Sequence, residues 1–172
     1  MAKLKGVDRF RAALALSSLD CEIITLSDSV RTVAQAAEAV GCPSARIAKS
    51  LVFRLGERAV MAVMSGDNRL DTDKLMRALA AKDARAAIKP ESPAAGALVR
   101  ADADFVRART GYAIGGVPPL GHLTALDRFM DEELFRFDRV WAAAGDPFSL
   151  FAIEPAALKE ASGAEAIDLK EE

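Results

Sequence analysis

Apolar positions recur along this chain with two periods, and each period predicts a different kind of element. From residue 7 to 19, Val7, Phe10, Ala13, Leu14 and Leu16 approximate one helical face with Asp8, Arg9 and Arg11 between them, which predicts an amphipathic helix. Residues 21–26 are short and β-branched enough for a strand. Asp28 or Ser29 is placed to cap a second helix through Val33, Ala36, Ala37 and Val40, which Gly41-Cys42-Pro43 stops. Two apolar runs, 47–55 and 59–65, are joined by Gly56-Glu57-Arg58, a spacing that suits a hairpin of largely buried strands closed off by Gly66-Asp67-Asn68. Asp71-Thr72-Asp73-Lys74 opens a third helix through Leu75 and Leu79 with its acidic residues favourably at the N-terminal end.

The Ala-rich stretch 80–97 fits helix, strand or loop, and 102–109 predicts one short helix. Residues 111–114 predict a strand that runs into Gly115-Gly116-Val117-Pro118-Pro119, where the chain must leave regular structure. Beyond it the pattern predicts strands near 125–129, 140–144, 149–153 and 166–169, and helices near 131–137 and 155–162. Strands and helices mix without a strict βαβ alternation, which favours an α+β domain around a mixed sheet. With no internal repeat or linker, 1–172 reads as a single domain.

Composition narrows the partners. A net charge of −2 argues against a surface that grips long duplex DNA by its phosphates, but leaves room for a local basic patch around a short RNA end. Cys21 and Cys42 make no CxxC pair, so both read as reduced structural thiols. No early segment has the layout of a signal peptide and no apolar run reaches the roughly 20 residues of a membrane helix, so a cytoplasmic location without membrane contact is expected.

Most catalytic classes lack their residues. A histidine-dependent triad would have to use His122, the only histidine, yet no GxSxG accompanies it. There is no HExxH, no GxGxxG and no GxxxxGK[ST], so neither a metal nor a nucleotide cofactor is expected. The chemistry must be undemanding, or the substrate must help.

Lys49 stands out because strand alternation puts it on the face of Ile47, Leu51 and Phe53. It is either a strand-end lysine whose stem covers apolar surface or a cation at a pocket mouth, poised for a developing negative charge. In the loop 115–119, amides around Gly115, Gly116 and Val117 could form an anion nest, or the segment could be a rigid turn. His122 follows closely enough to line the same concavity or to be a satisfied structural residue. Asp67 and Asp146, each after a glycine, read as turn formers.

Taken together, Ile47-Ala48-Lys49-Ser50-Leu51-Val52-Phe53, Met64-Ser65-Gly66-Asp67 and the run from Thr110 through Gly115-Gly116-Val117-Pro118-Pro119-Leu120-Gly121-His122 resemble the YbaK/prolyl-tRNA synthetase-associated editing domain family in order and spacing. The tail, with Val140-Trp141-Ala142-Ala143-Ala144-Gly145 and the segment from Phe151 to Leu158, resembles that family's closing strands and last helix. The resemblance implies a curved, mixed sheet partly closed into a barrel with helices packed outside, and a pocket for the aminoacylated 3′ end of tRNA. It implies a free-standing hydrolase that removes a small amino acid from mischarged tRNA, most typically tRNA for proline, without a cofactor. The family's lysine falls on Lys49 and its GxxxP loop on 115–119, so the resemblance makes Lys49, Gly115 and Gly116 catalytic, with Ser50, Val117, Pro118, Pro119 and His122 around the substrate. An aminoacyl-tRNA synthetase is a further partner it allows. Ser50 stands where members specialised for alanine usually carry Asn, so alanine, cysteine, serine, threonine and small non-protein amino acids all stay open. A domain of the same fold that binds tRNA ends or a synthetase without turnover is the competing expectation.

Overall fold

The computed structural model describes residues 5–87 and 97–172, which form five α-helices and eight strands. Helix α1 (Gly6–Leu16) buries Phe10 and Leu14 and ends before the predicted Leu19, because Ser17 turns its N–H back onto the Ala13 and Leu14 carbonyls and Ser18 takes a positive φ of 57°. Strand β1 (Ile23–Thr25) follows. Helix α2 (Val33–Val40) is capped by Thr32 rather than by Asp28 or Ser29. Thr32 stands three residues before Gln35, so each side chain bonds the other's backbone N–H in a capping box, an arrangement open to neither earlier residue.

Strands β2 (Ile47–Leu55) and β3 (Arg58–Ser65) form the expected hairpin, with a turn of only Gly56 and Glu57 and Leu55 directly opposite Arg58. Gly56 sits at φ +59°, a left-handed conformation that a two-residue hairpin turn demands. Helix α3 (Thr72–Arg85) starts where Asp71 accepts from the Asp73 and Lys74 amides, and it claims the front of the Ala-rich stretch. Residues 88–96 of that stretch lie outside the described residues. Strand β4 (Val99–Arg100) and helix α4 (Ala103–Thr110) come next, the latter capped by Asp102.

The strand expected at 111–114 does not form. Gly111 closes α4 at φ +85°, Thr110 Oγ1 accepts from the Tyr112 amide, and the buried Tyr112 hydroxyl donates to Gly121 O at 2.9 Å. The segment is held as a compact turn by its own side chains. Strand β5 (Asp127–Asp131) is followed by a 3₁₀ turn (Glu132–Arg136) in place of a full helix, then β6 (Val140–Ala143), β7 (Ser149–Ile153), helix α5 (Pro155–Ser162) and β8 (Glu165–Ile167), slightly ahead of the expected 166–169.

All eight strands join one curved mixed sheet in the order β1-β7-β6-β2-β3-β5-β8, with β4 on β2. The ladder ends at β1 and β8, which do not pair with each other among the described residues. Pairs β2–β6, β3–β5 and β5–β8 are parallel, and the others antiparallel, as expected for an α+β domain. From Ala59 onward β3 is buried throughout, with Met61 and Val63 in one apolar cluster and Val60, Ala62 and Met64 in another on the opposite face. No helix among the described residues is long and apolar enough to cross a membrane.

One interruption in this sheet matters for function. Along β3, β2 is paired from Ala48 to Leu55, but its other edge meets β6 only at Ile47 and Ala48 and β4 only at Phe53 and Arg54. Between those contacts, Lys49, Ser50 and Leu51 present a strand edge without a neighbouring strand among the described residues.

Candidate active site

A cleft of about 270 Å³ opens at that unpaired edge. Lys49, Ser50 and Leu51 form its floor, the segment before α2 one wall, and Ile114, Gly115 and Val117 another. The structure thus brings together two segments far apart in sequence, β2 and the 115–119 loop. Arg31 and Arg100 also line the cleft, giving three cations with Lys49 and no carboxylate among the described residues that line it. A local basic patch therefore exists on a chain whose net charge is −2.

Lys49 Nζ donates to Gly66 O at 3.0 Å and Asn68 O at 2.6 Å, both on the turn after β3. That turn is itself anchored, since Asn68 Nδ2 donates to Oδ2 of the fully buried Asp131 at 3.0 Å. Because an ammonium has three N–H donors, two bonds to carbonyls orient it and leave one donor for a ligand. Burial lowers the Lys49 pKa below the ordinary lysine value; Asp67 opposes this, Arg100 adds to it, and Asp131 opposes it. Among the described residues no carboxylate is a hydrogen-bond partner of Lys49, so its charge is available to an incoming anion.

Ser50 lines both this cleft and a recess of about 30 Å³ continuous with it through Arg100, Ile114, Gly115 and Val117. The other walls of the recess include Val52, Ala101 and Val106. Its hydroxyl oxygen is buried and has no hydrogen-bond partner among the described residues. A buried hydroxyl without a partner costs on the order of 1–3 kcal/mol unless something fills the place.

The loop divides its roles. Gly115 lines the cleft at φ +90°, with open space where a Cβ would project. Gly116 faces away: its N–H donates to Ala113 O at 3.0 Å, and a Cβ there would lie 2.7 Å from the Asp146 backbone. The expected anion-binding donor at Gly116 is therefore occupied inside the turn, and close packing is the reason for glycine at this position. Val117 is buried against the cleft, whereas Pro118 and Pro119 are buried and absent from its lining.

His122 is not in the cleft. It lines a separate groove, where its Nε2 lies 2.8 Å from Pro118 O and its Nδ1 3.2 Å from Arg128 Nε. Since arginine only donates, Nδ1 is the acceptor and Nε2–H donates to Pro118 O. Burial pushes the His122 pKa down to about 4, the Pro118 carbonyl opposing and Arg128 adding to it. It is a neutral brace behind the loop. Asp146 accepts from the Phe148 amide as a turn former, and Asp67 lies exposed on the turn that holds Lys49.

Arg31, Arg100, Asn68 and Asp131 carried no signal that the sequence made legible. Each is an ordinary polar residue in its own segment, and only the chain's path puts it beside Lys49.

A family model described as the aminoacyl-tRNA editing domain matches residues 27–161, a span that contains Lys49 and the whole 115–122 segment. The chain is similar to the uncharacterized protein YwhH of Bacillus subtilis (strain 168), with 33% identity over 142 residues, covering 82% of this chain and 81% of that one. Among solved structures it is similar to a protein described as a candidate trans-editing enzyme for prolyl tRNA synthetase, with 37% identity and a TM-score of 0.84 over 99% of this chain and 100% of the other. It is also similar to the hypothetical protein APE2540, with 27% identity and a TM-score of 0.78 over 95% and 99% of the two chains. With the fold, the lysine and the loop in place over most of its length, this chain belongs to the aminoacyl-tRNA editing domain family.

Proposed function

We propose that this protein is a free-standing deacylase that hydrolyses the ester of mischarged aminoacyl-tRNA, removing a small amino acid, with tRNA for proline the first candidate. One observation carries this reading: Lys49, Gly115 and Val117 line one cleft that holds three cations and, among the described residues, no carboxylate. The 3′ end of a tRNA is a short polyanion with an activated ester, and the cleft matches both features. Arg31 and Arg100 would engage phosphates at the rim while the exposed Ile114 contacts the terminal base.

An aminoacyl ester needs only positioning, oxyanion stabilisation and a water molecule. Water adds to the ester carbonyl carbon, the carbonyl oxygen takes the negative charge, and the bond to the ribose oxygen then breaks as that oxygen receives a proton. The free hydroxyl on the same ribose relays the proton, so no protein base is required. Lys49 supplies its third N–H to the developing oxyanion or the adjacent nucleotide. The amides of Gly115 and Val117, which have no hydrogen-bond acceptor among the described residues, hold the amino acid or its carbonyl.

The recess at Ser50 sets the substrate class. At about 30 Å³ it has room for little beyond one heavy atom, and its unpartnered hydroxyl favours a side chain that ends in a polar atom. Serine and cysteine are therefore favoured over alanine, although a pocket separates neighbours in size by only about 1–3 kcal/mol. The test is a deacylation panel of alanine, serine, cysteine, threonine and small non-protein amino acids on tRNA for proline, with correctly matched pairs as controls. Turnover of at least one small mischarged species, with matched pairs spared, supports the enzyme. Binding of tRNA without turnover of any member would establish the non-catalytic alternative.

A further inference from the structure

The groove that holds His122 is larger than the cleft, at about 480 Å³, and the proposed reaction does not use it. It runs between α1, the turn at Leu120–His122, Arg128 on β5 and the C-terminal end of α5. Its walls contain two guanidinium groups, Arg9 and Arg128, and among the described residues no carboxylate. Neither arginine takes part in an ion pair among the described residues.

Half-buried cations are normally balanced by an anion, because removing a charge from water without compensation is unfavourable. Among the described residues Arg128 has only neutral partners. It donates to His122 Nδ1 and to Ser162 O at 3.1 Å, which leaves guanidinium N–H groups free. The adjacent carboxylate, Asp127, is fully engaged elsewhere, with one oxygen 2.6 Å from Arg58 and the other 2.9 Å from Lys82. Arg9 approaches from α1 with its Nε buried and without any hydrogen-bond partner among the described residues. Three small side chains, Ala12, Ala13 and Ala161, line the groove with the two arginines.

We propose that this groove is a second, anion-binding site that takes a phosphate group between Arg9 and Arg128. His122 acts there as a positioning residue: its acceptor nitrogen fixes the Arg128 plane, and its other nitrogen ties the same arrangement to Pro118 of the cleft loop. The phosphate belongs either to an RNA strand or to a free monoester such as a nucleotide.

The test uses the full chain and does not depend on deacylation. Inorganic phosphate is titrated at fixed ionic strength while the arginine Nε–H resonances are followed by NMR, with acetate as the carboxylate control. A saturable shift at Arg9 and Arg128, weakened about tenfold or more in Arg9→Gln and unchanged in the neighbouring Arg11→Gln, is the expected result, in line with the loss of a charge-assisted hydrogen bond. Arg128→Lys, checked by thermal melting, should weaken binding while keeping the charge, because the planar fork is lost. A short single-stranded RNA that shifts Arg9 and Arg128, binds tighter than phosphate with a steep salt dependence and weakens in Arg9→Gln assigns the groove to RNA, whereas a 5′-mononucleotide that shifts the same resonances at least as tightly assigns it to a free phosphate monoester. A shift without saturation, equal saturation by acetate, or parental affinity in Arg9→Gln would overturn the proposal whether or not the protein deacylates tRNA.

Discussion

Lys49 and His122 both set a titratable nitrogen against backbone carbonyls, yet the cleft and the groove use the two residues in opposite ways. Lys49 donates to Gly66 and Asn68 and has a third N–H left over beside an unpaired strand edge. His122 has two ring nitrogens, and both are occupied, one by Pro118 O and one by Arg128. A count of unused donors therefore separates a residue that can receive a substrate from one that holds the wall in place. The same count divides the loop: the Gly116 amide is taken by Ala113 O, and the Gly115 and Val117 amides have no acceptor among the described residues.

The largest expected effect comes from removing the unused donor. Lys49→Ala should lower single-turnover deacylation of the best substrate by on the order of 100- to 1,000-fold, about 3–4 kcal/mol of barrier, while melting stays near that of the parent. A rate within about threefold of the parent would show that the cleft and the groove do not differ in the way proposed.

Acid should test the brace. His122 has a pKa of about 4 in the fold and near the ordinary 6.5 when unfolded, so below pH 6.5 the unfolded chain binds the proton first. The stability is thus fully present above pH 6.5 and is lost as pH falls toward 4, by up to ~3 kcal/mol. Chemical denaturation between pH 7 and 4 should show this decline in the parent, and His122→Gln should flatten it in that window. A parallel decline in both proteins would assign the acid sensitivity to other groups.

Gly116→Ala should cost about 2 kcal/mol of stability, as overpacking against a backbone does, with activity falling only as far as the folded fraction falls. Gly115→Ala is the smallest structural perturbation, about 1 kcal/mol for a Cβ at φ +90° in open space, and here the deacylation rate should fall more than the melting temperature reports. A reversal of that order between the two glycines, read by melting and single-turnover rates on the same preparations, would place the working face of the loop on the Gly116 side.

Much of this was legible before the structure. The β2–β3 hairpin, Asp71 as the start of α3 and Pro155 as the start of α5 follow from local rules, because a turn or a cap is satisfied by residues a few positions away. The same local rules misled at 111–114, where β-like composition met a turn held by Thr110 and Tyr112, and at Asp28 and Ser29, where Thr32 made the better cap. Lys49 was marked by one anomaly, a charge on an apolar face, and the loop by its two glycines and two prolines.

By itself, then, the sequence determined most of the element order, the α+β class, the family and the two segments that meet at the cleft, while the turn at 111–114 and the short strand β4 escaped it. Those properties depend on periodicity, caps and short motifs, which act over a few residues. Only the tertiary structure decided that β2 loses its neighbour between β6 and β4, that Arg31 and Arg100 join Lys49, and that His122 turns away to Arg128. Each of these depends on which distant strands pair and which carbonyls remain unpaired, and no local pattern in the chain encodes where its own remote segments will come to rest.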